Sequence, residues 1–203
     1  MHLDRVDLSA CRFYVEQVRW ESLFNDLESQ LRSMSSDEEE SEIRERTRSE
    51  QSRLTLVQRL DGQRGNPLGV VTRGGRSLFG ALAHVGSQWI AMGVENRTVI
   101  VPLASIQVLR GLRREVGQPL SGVQARLGLG SVLRELSRDR AQVSLWLGLP
   151  ATRCSGVVDR VGADFLELGS VAAGDERRTG SVREVLTVPF ASIDTVDSAV
   201  PLE

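Results

Sequence analysis

Arginine is the residue type with which this chain could do chemistry. Arg73-Gly74-Gly75-Arg76 sets a glycine pair between two guanidinium groups. It resembles an RNA-binding Arg-Gly motif, but it reads first as a tight hairpin turn flanked by exposed arginines. A second set follows at Arg110, Arg113, Arg114, Arg126, Arg134, Arg138 and Arg140. The planar, forked donors of guanidinium suit phosphate oxygens, so both groups are candidate DNA or RNA contacts. On one helix Arg134 and Arg138 share a face and Arg140 lies off it. The structural alternative is a solvated helix face, or arginines paired with acidic residues elsewhere in the chain.

Other chemistries are thin. All 25 basic residues are Arg and none is Lys, which excludes Schiff-base catalysis, a lysine general base and a phosphate-loop lysine. The all-Arg usage fits a GC-rich genome. His2, His84, Cys11 and Cys154 stand far apart, so no metal site, redox motif or disulfide framework is expected. Gly128-Leu129-Gly130-Ser131 lacks a third glycine at 133 and a following Lys; it reads as a turn with Ser131 as N-cap. His84 sits beside Val85 in a strand pattern without a partner constellation, which is the pattern of a structural histidine. Trp89 and Trp146 read as core residues, since stacking on bases would require exposure. No cofactor is expected, and the chain is read as a non-enzyme.

The elements that would carry these residues differ in charge. Residues 1–60 hold 13 acids and 9 Arg, residues 61–150 hold 5 and 11, and residues 151–203 hold 9 and 5. A basic middle thus lies between acidic ends. In the first segment Trp20, Phe24, Leu27, Leu31 and Met34 step by 4, 3, 4 and 3, with Leu23 widening the seam. That is an amphipathic helix face able to take a protein partner or a second copy of itself, or to fold onto this chain. Ser36 followed by Asp37, Glu38 and Glu39 predicts the start of a second helix running to about Leu60. No basic-then-apolar leader and no membrane-length apolar run is present, so a cytoplasmic protein without membrane partners is expected.

The rest of the chain repeats itself. Gly80 to Gly93 matches Gly156 to Gly169 at an offset of 76, each with a Val-Gly turn before an aromatic residue. Val101-Pro102-Leu103-Ala104-Ser105-Ile106 matches Val188-Pro189-Phe190-Ala191-Ser192-Ile193 at an offset of 87, which implies an insertion between about 169 and 185. Residues 52–60 resemble residues 131–141, each a helix ahead of its copy. Each copy reads as a helix followed by five short strands, with a proline-led turn before the last.

That order, the glycines and the Pro-Leu/Phe-Ala-Ser-Ile ending resemble the Sm-like fold over residues 52–109 and 131–197. The family's Asp and Asn positions fall on Gly86 and Gly162, and on Ile90 and Leu166. Its Arg-Gly pair has no counterpart at Pro102-Leu103 or Pro189-Phe190. Neither its uracil pocket nor its ring assembly is supported. The whole chain also resembles an uncharacterised actinobacterial family whose members are sometimes labelled Fis-like regulators; the carrying residues are Trp20 to Glu28, Leu133 to Ala141 and Val158 to Asp164. The expected architecture is α+β: an acidic helical arm (1–60), a first small Sm-like/SH3-like β-barrel (61–112), an Arg-rich linker and helix (113–141), and a second small β-barrel (142–203). Two functions follow from it. The first is a nucleic-acid-associated binding or regulatory protein using Arg73, Arg76, Arg110, Arg113, Arg114, Arg126, Arg134 and Arg138. The second is an interaction adaptor docking through Trp20, Leu23, Phe24, Leu27 and Leu31.

Overall fold

The computed structural model describes residues 23–31, 41–170 and 184–199. Trp20, Met34, Ser36 and the insertion around 172–180 lie outside them. The chain divides into two compact units, Met1–Leu54 and Thr55–Glu203. The first contains helices α1 (23–31) and α2 (41–52). The second begins with α3 (Leu56–Asp61), whose Thr55 N-cap exchanges hydrogen bonds with Gln58 in a capping box. The expected helix to Leu60 is therefore interrupted at residues 53–55, and α3 belongs to the unit that follows, with Leu60 fully buried in its core.

Five strands come next: β1 (Pro67–Thr72), β2 (Ser77–Val85), β3 (Trp89–Val94), β4 (Arg97–Pro102) and β5 (Ile106–Arg110). Helices α4 (Gly122–Arg126) and α5 (Leu129–Arg138) lead to five more: β6 (Gln142–Leu147), β7 (Thr152–Val161), β8 (Phe165–Ser170), β9 (Glu184–Pro189) and β10 (Ile193–Ser198). The N-cap of α5 is Gly128 and not Ser131.

The expectation of two separate small barrels is overturned. All ten strands form one antiparallel sheet in the order β5-β1-β2-β3-β4-β10-β6-β7-β8-β9. Neither half closes on itself, because the edge of β4 that closure would need is taken by β10, with Val196 opposite Ile100 and Asp197 opposite Val99.

Within that sheet the two halves repeat strand for strand. The β1·β2 register of Pro67 with Ala81 returns as Gln142 with Val157, and both β2·β3 and β7·β8 slip by one residue, at Ala83 and Asp159. Leu103–Ser105, a single 3₁₀ turn, joins β4 to β5, which stand at opposite ends of the first half's order. Strands spaced about 4.8 Å apart would place these ends about 19 Å apart in a flat sheet, whereas four extended residues span at most about 14 Å. Each half is therefore forced to curl, the second through Phe190–Ser192.

The curl places one apolar core in each half, and the sheet exchanges faces between them. Ile90, Met92, Val99 and Val101 pack with Leu60, Leu68 and Leu82 in the first core. Their neighbours Trp89, Ala91 and Ile100 point the other way and join α5, Val143, Leu145, Leu166 and Val196 in the second. Strands β4 and β10, which meet at the exchange, are buried on both faces.

The repeated glycines have a steric cause. A Cβ on Gly80 would lie 2.1 Å from the Gly93 carbonyl oxygen, and one on Gly156 equally 2.1 Å from that of Gly169. Gly86 and Gly162 lie under the Trp89 and Phe165 rings, 2.4 Å from the nearest ring atom by the same measure. Gly80→Ala and Gly156→Ala should each cost about 2–3 kcal/mol of stability by overpacking, against under about 1 kcal/mol for Gly93→Ala, where a Cβ meets nothing closer than 4.0 Å. Denaturant unfolding of the three variants checks this.

Candidate functional site

Polar chemistry concentrates where β4 meets β10. The hairpin between β1 and β2 carries the Arg73-Gly74-Gly75-Arg76 motif, and it lies over β10. Asp194 is only 2 % exposed. Its carboxylate accepts the Thr72 hydroxyl at 2.5 Å and the Gly74 N–H at 3.1 Å. A side chain at 74 could not fit, since its Cβ would lie 2.6 Å from Asp194 Oδ2. The Asp194 carbonyl also accepts the Ser105 hydroxyl at 2.8 Å.

Three residues on, Asp197 accepts both arms of Arg76, at 2.8 and 3.0 Å. Arg76 also donates to the Thr195 hydroxyl. Arg97 approaches Asp197 at 3.4 Å, and the Trp146 indole N–H points to it at 3.3 Å. The Arg76 guanidinium lies over the Trp146 ring at 4.4 Å, with Arg153 at 5.4 Å. The bidentate, stacked geometry is one that arginine provides and lysine does not. It gives a buried carboxylate the compensation its desolvation requires.

The candidate arginines are thus divided. Arg76 is a structural clamp, and Arg73 bonds the Ala104 carbonyl at 2.9 Å with its guanidinium. Arg134 donates to the Gly162 carbonyl at 3.3 Å, and Arg138 pairs with Glu135 at 2.9 Å. Arg110, Arg113, Arg114 and Arg126 are exposed. They stand on β5, on the segment after it and on α4, so the structure does not gather all eight into one site.

The backbone of that segment is fixed. The Arg59 guanidinium donates to the carbonyls of Arg113, Arg114 and Glu115, and the Gln63 side chain to that of Glu115 at 3.1 Å. The Glu115 carboxyl is held below its ordinary pKa by its own backbone N–H and then by Gln63, with Arg113 and Arg59 adding charge.

Trp146 is half-buried at the junction and not in a core, whereas Trp89 is a core residue whose indole bonds the Leu127 carbonyl. His84 is half-buried in β2. A cavity of about 340 Å³ opens beside the clamp, lined among others by Arg73, Ser105, Leu147, Leu149, Phe190 and Asp194. Among the described residues no cluster of His, Cys, Asp and Glu could hold a metal, and no helix is long and apolar enough to cross a membrane.

Sequence reasoning missed Asp194, Asp197, Arg97 and Arg153. The available signal was two acids on a short strand pattern, Asp194-Thr195-Val196-Asp197; that this strand faces the Arg73–Arg76 turn is shown only by the structure.

Four residues of the expected face stand on α1. Leu23, Phe24, Leu27 and Leu31 are 45–64 % exposed. Trp20 lies outside the described residues.

Removing one partner of the clamp should be severe. Arg76→Ala and Asp197→Ala should each cost about 3–5 kcal/mol, with strong coupling in the double-mutant cycle, because each leaves the other charge buried and unpaired. Arg97→Ala, at a pair whose arginine is 42 % exposed, should cost about 1 kcal/mol or less. Urea unfolding of the unsubstituted protein and the four variants decides. No known protein family and no curated protein matches the chain.

Proposed function

We propose that this is a non-enzymatic interaction adaptor that docks through α1. The observation that carries the reading is the ridge of Leu23, Phe24, Leu27 and Leu31, four large apolar side chains at helical spacing with about half their surface open. Burying them in an apolar groove of a protein partner would remove that surface from water, at about 25 cal/mol per Å² before the cost of association. Spacings of three and four residues suit a helix-in-groove contact. The adaptor's other unit, the ten-stranded sheet, would supply a rigid body for the arm to carry.

A second reading keeps nucleic acid as the partner. It is favoured by Arg110, Arg113, Arg114 and Arg126, which are exposed on a segment where Glu115 is the one acid. Carbonyls 113–115 are pinned to Arg59, so arginines 113 and 114 would meet phosphates without first ordering their backbone.

The two readings separate experimentally. A photo-crosslinker at Leu27 should capture a protein partner in cells of the source organism. The capture should be lost in Leu23→Asp/Leu31→Asp, while the sheet's unfolding midpoint stays unchanged. Capture unaffected by that change would reject the adaptor. For the second reading, affinity for duplex DNA and single-stranded RNA is measured from 50 to 200 mM salt. Micromolar, salt-sensitive binding that falls in Arg113→Glu/Arg114→Glu supports it, and no such binding ends it.

A further inference from the structure

The two halves present matching outer faces, and one of them is covered. On the second half, Ser155, Ser144 and Asp197 form one cross-strand row over β7, β6 and β10, with Arg153, Trp146 and Thr195 beside it. On the first half, the same places over β2, β1 and β5 hold Phe79, Gly69 and Arg110, with Ser77, Val71 and Val108 beside them. The Arg76 guanidinium lies across the second face, stacked on Trp146 and forked onto Asp197. Among the described residues the first face has no such cover: Phe79 is 72 % exposed, Val108 43 %, and Arg110 is exposed. We propose that this open face binds a small aromatic carboxylate, with its ring against Phe79 and its carboxylate on Arg110.

The covered face is the template, with charge reversed. There a strand supplies the acid, and the group laid across it is a guanidinium supported by a ring. On the first face the strand supplies the guanidinium, at the place of Asp197, and the complement to lay across it is a carboxylate. A guanidinium fork and a carboxylate meet through two parallel hydrogen bonds. Among the described residues no hydrogen bond or ion pair engages the Arg110 side chain. Arg110 is also the one charged residue lining the cleft, which matches a monoanion.

Gly69 makes the room. A Cβ there would lie 3.3 Å from Arg110 Cβ and 3.9 Å from Phe79 Cδ2, so the two side chains flank an empty place. Its counterpart, Ser144, fills that place with a hydroxyl that bonds Ser155 and accepts from Arg153. Without a side chain at 69 the face holds a cleft of about 310 Å³. Small-molecule sites begin at about 300 Å³, whereas a stable protein partner needs about 800 Å² of each surface. The exposed Phe79 ring offers offset stacking to a flat body, and the fork fixes which end of that body points to β5. A neutral ring would forgo the fork, and an aliphatic acid would forgo the stack.

Equilibrium dialysis of the full chain against naphthoate and its neutral amide, naphthamide, provides the test. The variants are Arg110→Gln, Phe79→Ser and Gly69→Ser, the last two taking the residue that the second half carries at the same place, and Arg160→Gln as a control at an exposed arginine of β7. Naphthoate should bind saturably below about 1 mM and about tenfold tighter than naphthamide. Arg110→Gln should weaken naphthoate about tenfold and abolish the difference between the two ligands. Phe79→Ser and Gly69→Ser should weaken both ligands, by removing the stack and by filling the floor. Arg160→Gln should bind like the parent, and unchanged urea midpoints show that Arg110→Gln and Phe79→Ser remain folded. Absence of saturable naphthoate binding overturns the proposal. So do equal affinities for acid and amide, Arg110→Gln binding like the parent, or an equal loss in Arg160→Gln. Because α1 belongs to the other unit, failure of the adaptor reading leaves these outcomes unaffected.

Discussion

The sheet unit depends on one buried ion pair more than on any other contact. Strand β10 donates one face to the second core through Ile193 and Val196. Its other face carries Asp194, Thr195 and Asp197 into a place that water does not reach. A strand that is apolar on one face and acidic on the other would ordinarily be an edge or a surface strand. It can lie in the middle of ten because the Arg76 fork meets Asp197, Trp146 stacks beneath Arg76, and the Thr72 hydroxyl and Gly74 N–H satisfy Asp194. Without that cover the union of β4 and β10 would leave a desolvated carboxylate, and the two curled halves would have little reason to share a sheet.

The clamp also explains which arginines are available for anything else. A guanidinium committed to a buried carboxylate and an indole face is part of the fold, and moving it toward a phosphate would expose the charge it neutralises. Arg76 is therefore withdrawn from recognition, and Arg73 is tethered to the Ala104 carbonyl. Arg59 serves the backbone of residues 113–115. Arg113 and Arg114 keep their guanidinium groups outward while their carbonyl oxygens are held by Arg59, and Arg110 and Arg126 are exposed as well. The basic middle is thus part scaffold and part open surface, a division that net charge by segment does not reveal.

Much of the strand plan was legible. The 76-residue offset located the paired glycines, and the structure gives the reason: in both copies a carbonyl of the neighbouring strand occupies the space a Cβ would need. The Pro-led turn was legible as well, since both copies use it to carry the chain across a curled half. What periodicity does not encode is which edge a strand's second side meets. Val99-Ile100-Val101 is a continuous apolar run, the pattern of a strand buried on both faces, and it signals that β4 is central. Its partner β10 gives no such signal, because its second buried face is polar and becomes tolerable only through a hairpin some 120 residues earlier. The expectation of two barrels failed at that point: closure of each half and union of the two require the same strands and the same turns.

Comparison of the copies separates what the fold demands from what the junction demands. Positions that keep their character between halves, such as Gly80 and Gly156 or Pro102 and Pro189, maintain close strand approach and the turn. Positions that change do so as a set. Asp194 becomes Gln107, Asp197 becomes Arg110, Arg97 becomes Glu184 and Gly74 becomes Leu149. Those four residues lie on two strands and a turn, and what unites them is contact with one join. The internal join and the outer edges therefore differ in the residues they carry: the acids and the arginine that hold β10 against β4 have no counterparts of the same charge on β5 and β9.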